Sequence, residues 1–509
     1  PQGLSLLTAS PAEDKDVVAV TKATADKYQL KTVSDLAPHA GELVLGGASD
    51  YDGCTYIDNG TITVSNSSAL GPGPIDLGQG SGSPTYGATL KLALDGMTLA
   101  NNPITIKNES SGIKTIQADV NATMSGGIAI AETSDDQFSI GVASGKLLTL
   151  SGIMSGDSGG EITKIGAGTL YMSNTANTHD KKITIQAGVL NIAHSRNLGA
   201  EPGGAYANKI TLNGGTLRAT ASFTLSQYYS TTLGVNNGFI EVDSGVTLTY
   251  PAVISGSGAF AKTGAGILKL TGANTFTAPV TNSAGTLQIG DNGTTGSLDA
   301  NIVNNAALIW HRSDDGLDYT GTISGTGTLE KKGAGMMVLR GNNTYSGATT
   351  ITEGRLSITH ANALGTTAGN TTVANGAQLR LGSGAGTAEP LVLNGTGYNN
   401  TGALYNPNGA NTVSGTITLG SAARINSDAE TLTLTGNISG AYGLTFGGSA
   451  NITVNSVIGN VTAITKDGTG TLTLQSGQTH AFSGTATVSA GTMVQDALAS
   501  SMAVSVSSG

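Results

Sequence analysis

The densest run of chemically capable side chains in this sequence is Trp310-His311-Arg312-Ser313-Asp314-Asp315-Gly316-Leu317-Asp318-Tyr319. It places the one tryptophan beside three carboxylates, an arginine and a histidine, in a chain with only 11% charged and 4% aromatic residues. Two chemistries suit that mixture. An aromatic face flanked by bidentate side chains contacts sugars, and aspartate oxygens ligate calcium. The spacing of Asp314, Asp315 and Asp318 is not that of an EF-hand calcium loop. The structural alternative is a protruding, solvated turn with Trp310 packed on the body beneath it. Trp310, His311, Arg312, Asp314, Asp315 and Asp318 are the candidate ligand contacts. No residue is assigned as catalytic, as a metal ligand or as cofactor-binding.

Two other patterns suggest hydrolysis. Gly156-Asp157-Ser158-Gly159-Gly160 resembles the nucleophile loop of chymotrypsin-like serine proteases, and His39, Asp50 or Asp52, and Ser158 reproduce the order His, Asp, Ser. However, Ala37-Pro38-His39-Ala40 is unlike that family's histidine segment. Ser155 to Gly160 also aligns with Ser255-Gly256-Ser257-Gly258 and Ser324-Gly325-Thr326-Gly327, so it reads as a repeat corner carrying an inserted aspartate. Asp50 with Asp52 and Asp135 with Asp136 are acidic pairs of the kind a glycosidase or lyase would array on one face, with carboxylates about 5 to 10 Å apart. The histidines (His39, His179, His194, His311, His360 and His480) lack metal spacing and read as surface residues. Cys54 is alone, so neither a disulfide nor a thiolate zinc cluster can be built from this chain.

The elements that would position these residues are short. Gly325 to Gly365 reads glycine turn, strand, Lys331-x-Gly333-Ala334-Gly335 turn, strand, Gly341-Asn342-Asn343-Thr344-Tyr345 turn, strand, Gly354 turn and strand. The skeleton recurs at Glu161 to Gly199, Gly256 to Gly290 and, more weakly, Ile464 to Ala497. Its lysines are Lys164, Lys262, Lys331 and Lys466, irregularly spaced and read as solvated corner residues. Apolar and small polar residues alternate within each run, as in Thr169-Leu170-Tyr171-Met172, a period of two that belongs to a strand with one buried face. Such strands are too short and too interrupted for hairpins. Coiling the chain instead lays each strand about 4.8 Å from its equivalent in the previous coil, where the backbone groups pair. The predicted fold is all-β, a right-handed parallel β-helix (β-solenoid) of about 20 to 25 coils, a rod on the order of 100 Å long.

These same residues carry a family resemblance. The pattern Gly-x-Gly-x-Leu-x-Lys-x-Gly-x-Gly, followed by Asn-Thr-Tyr and Gly-x-Leu, resembles the passenger-associated strand repeat of bacterial autotransporters, the type V secreted proteins. Gly325 to Leu356 matches it almost position for position. Gly256 to Leu287 has Phe276 at the aromatic site, and Ile464 to Met493 lacks the Asn-Thr-Tyr. The resemblance implies a passenger domain, secreted or at the surface of a bacterium with an outer membrane, and tied to that membrane through a separate barrel. It does not imply one activity, because adhesins, toxins and proteases share such stalks.

Residues 1–40 differ from the rest. Ser10-Pro11-Ala12-Glu13 is a capping-box signature, and the glycine-free run after it predicts a helical or irregular N-terminal cap, or a docking arm, from Pro11 to about Leu30. Residues 41–509 are read as solenoid, with a loop at Gly78 to Tyr86 and a longer one within Gly382 to Gly409. The chain starts at Pro1 without a signal segment, so a processed or engineered terminus is expected, and it holds no alternating strands of barrel length, so the barrel that the resemblance implies is expected outside it. A formal charge of −10 without a Lys/Arg run excludes nucleic-acid binding and disfavours a membrane-surface role. The expected function is a non-enzymatic, extracellular structural or adhesive rod without cofactor. Its partners would be other copies of itself, in filaments or cell aggregates, or a cell-surface glycan or protein. The alternative is a polysaccharide-degrading enzyme on the same fold.

Overall fold

A computed structural model describes residues 54–57, 59–78, 87–100, 102–107, 112–130, 137–156, 159–201, 206–475 and 480–495, and the strands Leu4–Leu6, Ala19–Thr21, Glu42–Leu45 and Val504–Val506. The chain is an all-β parallel solenoid of about 19 turns with almost no helix. It divides into two compact units, Pro1–Leu217 and Arg218–Gly509.

In the first unit each coil has three sides, and each side is a parallel ladder. One ladder runs through Glu42–Leu45, Gly60–Val64, Ala88–Leu92, Lys114–Ala118, Gln137–Val142, Glu161–Ile165 and Lys182–Ile185. A second joins Met97–Leu99, Ala122–Met124, Leu147–Leu150, Thr169–Met172 and Val189–Ile192. The third joins Thr55–Ile57, Ile75–Leu77, Ile104–Ile106, Ile128–Ile130 and Met154–Ser155. Within these strands alternate side chains turn inward, as in Ala88–Leu92, where Ala88, Leu90 and Leu92 are buried.

The second unit continues the plan with longer ladders. Leu248, Leu268, Leu287, Leu308 and Leu329 are register partners on successive coils, each almost fully buried. Burying a leucine is worth about 1.5 to 3 kcal/mol, so such columns supply the apolar term of every coil interface. Near the C-terminal end, Asn411–Val413, Thr431–Leu434, Asn451–Val454, Thr471–Leu474 and Thr492–Gln495 form a ladder of their own.

The structure bears on two sequence expectations and leaves a third outside the described residues. Within the span predicted as a helical or irregular cap, or a docking arm, Ala19–Thr21 is a strand antiparallel to Leu4–Leu6 rather than helix; the rest of Pro11 to Leu30 lies outside the described residues. Gly382 to Gly409 is not one long loop, because Leu391–Gly395 and Leu404–Asn406 are ladder strands separated by one 3₁₀ turn, Tyr398–Asn400. Glycine and asparagine density there marks corners between coils rather than an excursion. The loop predicted at Gly78 to Tyr86 falls, apart from Gly78, outside the described residues.

Candidate functional site

The repeat's lysines are not solvated corners. Lys164, Lys262, Lys331 and Lys466 are each at most 2% exposed. Each lies two residues after an inward apolar side chain (Ile162, Phe260, Leu329, Ile464), so the period of two carries it into the core. The ammonium meets a cage of carbonyls there. Lys331 Nζ donates to Lys332 O (2.9 Å) and Gly333 O (2.7 Å) in its own turn and to Glu353 O (3.2 Å) on the next coil. Lys262 does the same with Thr263, Gly264 and Ala284, and Lys164 with Ile165, Gly166 and Ala187. Lys466 reaches Gly468 O and Ala490 O.

The turn glycine makes the cage possible. Gly166, Gly264 and Gly333 have φ of +72°, +71° and +79°, and a Cβ there would lie 2.4, 2.3 and 2.2 Å from a carbonyl oxygen of the preceding coil. Burial pushes the pKa of Lys164, Lys262 and Lys331 down to about 8.

The repeat's asparagine is a second staple. Asn343 Oδ1 accepts from Ile323 N (2.7 Å) on the coil before, and its Nδ2 donates to Ala363 O (2.6 Å) on the coil after. Asn274 bridges Ile254 N and Ser297 O, and Asn177 bridges Met154 N and Asn197 O. In the fourth copy the place is taken by His480, whose Nδ1 accepts from Ile458 N (3.2 Å). Two residues on, the aromatic position holds Phe276 and Tyr345, both buried, but His179 in the first copy. His179 is 0% exposed and neither ring nitrogen has a hydrogen-bond partner. Burial, with the charges of Lys209 and Lys181, pushes its pKa down to about 3. The reading of all histidines as surface residues is therefore corrected for His179 and His480. They occupy motif positions, which the scattered numbering concealed.

The Trp310–Tyr319 run is also reorganised. Trp310 is fully buried at the column position directly before Lys331, with its ring 5.0 Å from that of Tyr319, so it offers no face to a sugar. The charged members are paired, Arg312 with Asp314 within one coil and the other two carboxylates with arginines of later coils. Arg312 holds Asp314 through two bonds (2.8 and 2.5 Å), Arg355 holds Asp315, and Arg340 holds Asp318 (2.6 Å). His311 Nδ1 lies 3.8 Å from Asp291, which also takes Lys269 at 2.8 Å. The Arg312 hydrogen bond holds the Asp314 carboxyl below its ordinary range, and the Arg355 bond does so for Asp315. The structure thus brings the carboxylates to one surface, but as rungs of a charge ladder, and separates Trp310 from them.

His39, Asp50, Asp52, Asp135, Asp136, Asp157 and Ser158 lie outside the described residues. The glycines flanking Asp157 and Ser158, Gly156 and Gly159, have φ of +140° and +105°, and Gly156 stands where Gly256 (+110°) and Gly325 (+100°) turn the later copies. No group of three His, Cys, Asp or Glu side chains among the described residues is placed to hold a metal ion. A shallow open groove of about 560 Å³ is lined by Thr372, Ala374, Asn375, Asn394, Gly395, Ser421 and Ala422.

Stacked coils fixed by a caged lysine and a bridging asparagine define a class of protein, the repeat-built parallel β-solenoid. The passenger-associated-transport-repeat family matches residues 162–192, 260–289, 329–358 and 464–494, the four copies described above. Over 240 residues the chain is 32% identical to the adhesin BmaC autotransporter of Brucella suis biovar 1 (strain 1330). That alignment covers 47% of this chain and 7% of the relative, so the chain spans a small part of that protein's length. Together the repeats and the relative support an autotransporter passenger domain, and with it a secreted or cell-surface location. The substrate binding domain of ABC-type glycine betaine transport systems also matches, over residues 1–63. Within that span Glu42–Leu45, Thr55–Ile57 and the start of Gly60–Val64 are solenoid strands paired with their successors. No solved structure matches.

Proposed function

We propose that this chain is a non-enzymatic adhesive solenoid that works by repetition. Its coils present many similar weak contacts, so that holding strength comes from their number rather than from one pocket. The observation that carries this reading is the state of its charged cluster: Asp314, Asp315 and Asp318 are each held by an arginine. They are engaged in the ladder rather than converging as an acid and a base. The name of the relative, an adhesin, points the same way. The partners are a cell-surface glycan or protein and other copies of this chain, the latter giving filaments or cell aggregates.

The test is negative-stain microscopy of the purified chain across a concentration series, with a second sample lacking residues 1–40, beside retention of chain-coated beads on cell surfaces. Bead retention that soluble chain competes away supports adhesion. End-to-end filaments lost on truncation support self-association through the N-terminal arm. Single particles at every concentration without bead retention would sink both forms of the proposal. Release of reducing ends from polysaccharide would favour the enzymatic alternative.

A further inference from the structure

One corner of the second unit is a column of glycines. The register Leu329↔Thr349↔Thr371↔Leu391↔Ile417↔Ile438, counted back two residues on each coil, stacks Gly327, Gly347, Gly369, residue 389, Gly415 and Gly436. The glycines are required by contact: a Cβ on Gly347, Gly369, Gly415 or Gly436 would lie between 1.9 and 2.6 Å from the carbonyl oxygen of the column member before it. Residue 389 is a glutamate, the one charged member. Glu389 is 3% exposed and neither carboxylate oxygen has a hydrogen-bond partner.

Its surroundings offer no counter-charge. The preceding coil from Thr366 to Val373 and the following one from Asn411 to Leu419 contain no charged residue. The titratable group that interacts with it is the phenol of Tyr345, whose hydroxyl lies 2.7 Å from Thr349 Oγ1. Thr371 Oγ1, buried on the adjacent coil, is also without a partner. An ionised carboxylate there bears a desolvation cost that no counter-charge offsets, and the neutral carboxyl avoids that cost.

We propose that Glu389 is a proton-operated latch: as the neutral acid it lets the coils on either side of Leu391–Gly395 close, and on ionising it opens them. Burial raises its pKa to about 7. A raised carboxyl stabilises the closed coils fully below the ordinary carboxylate range, loses that contribution as pH rises toward 7, and adds no further change above it. The strand that turns Thr371 inward turns Thr372 outward into the groove lined by Asn375, Asn394 and Ser421, so opening is transmitted to that surface.

The experiment is hydrogen exchange by mass spectrometry on the full chain at about pH 5 and about pH 8, corrected for intrinsic rates, with Glu389→Gln beside it. The expected result is opening of residues 369–417 increased by roughly 100-fold at the higher pH, the size that a shift from about 4.3 to about 7 allows, with Glu389→Gln flat. Equal pH dependence in the two proteins, or none in the wild type, overturns the proposal. The wild-type profile alone decides the matter if the variant does not fold, since an opening transition away from 369–417 also overturns it. Potassium or calcium chloride closing the coils at the higher pH in the wild type alone would overturn the proton in favour of a cation.

Discussion

The third repeat copy and the first differ in one side chain of the same staple, Tyr345 against His179, and the difference separates what the fold needs from what it tolerates. Both cage a lysine and bridge two coils with an asparagine. The third fills the aromatic slot with Tyr345, whose hydroxyl is bonded to Thr349, while the first fills it with His179, whose nitrogens have no hydrogen-bond partner. The slot demands a flat ring. The hydrogen bond is optional, but an unpartnered imidazole makes the first copy sensitive to acid where the third is not. The fourth copy differs elsewhere: His480 performs with Nδ1 the accepting half of the asparagine bridge.

The largest effect expected from breaking this comparison is at the lysines. Lys331→Ala leaves the carbonyls of Lys332, Gly333 and Glu353 without their ammonium donor and opens a void in the column, destabilising the second unit by about 3 kcal/mol. Denaturant unfolding followed by circular dichroism measures it, and an unchanged midpoint would remove the lysine from the list of staples. Asn343→Ala should lose about 2 kcal/mol by stranding Ile323 N and Ala363 O, both buried contacts.

Acid sharpens the comparison next. The folded pKa of His179 is about 3, below the ordinary value of 6.5, so the neutral form is the one the fold holds. That contribution is complete above about pH 6.5 and declines as pH falls toward 3. At about pH 5 the first unit should have lost about 2 kcal/mol through this residue, and His179→Phe should abolish the loss. A variant retaining the full acid dependence would place the sensitivity elsewhere. The smallest effect belongs to the surface ladder. Arg340 and Asp318 are both partly exposed, and Asp318→Ala should change stability by less than about 1 kcal/mol, a change that high salt masks.

The coils were legible because strand period and turn glycines are local signals: Leu43, Thr61, Thr89 and Ile104 all fall in strands as alternation places them. The repeat copies were legible for the same reason. What the pattern placed correctly but chemical habit misassigned was lysine. Leu329-x-Lys331 already put the side chain inward, yet a cation is ordinarily solvated, and the carbonyl cage that reverses that preference is assembled from two coils 22 residues apart. Trp310 was misleading in the same way, since its neighbours in sequence face outward while it faces in. Glu389 gave no signal at all, because its meaning lies in the glycines stacked above and below it, which only register reveals.

Trp310 has one more consequence. It is the chain's single indole, it is fully buried, and it stacks in the same column as Lys331. In a solenoid each coil touches only its neighbours and can open without the rest. Intrinsic fluorescence therefore reads the opening of one locality of the second unit. A melting curve recorded that way and one recorded by circular dichroism are expected to part, and the gap between them would measure how far cooperativity travels along the stack.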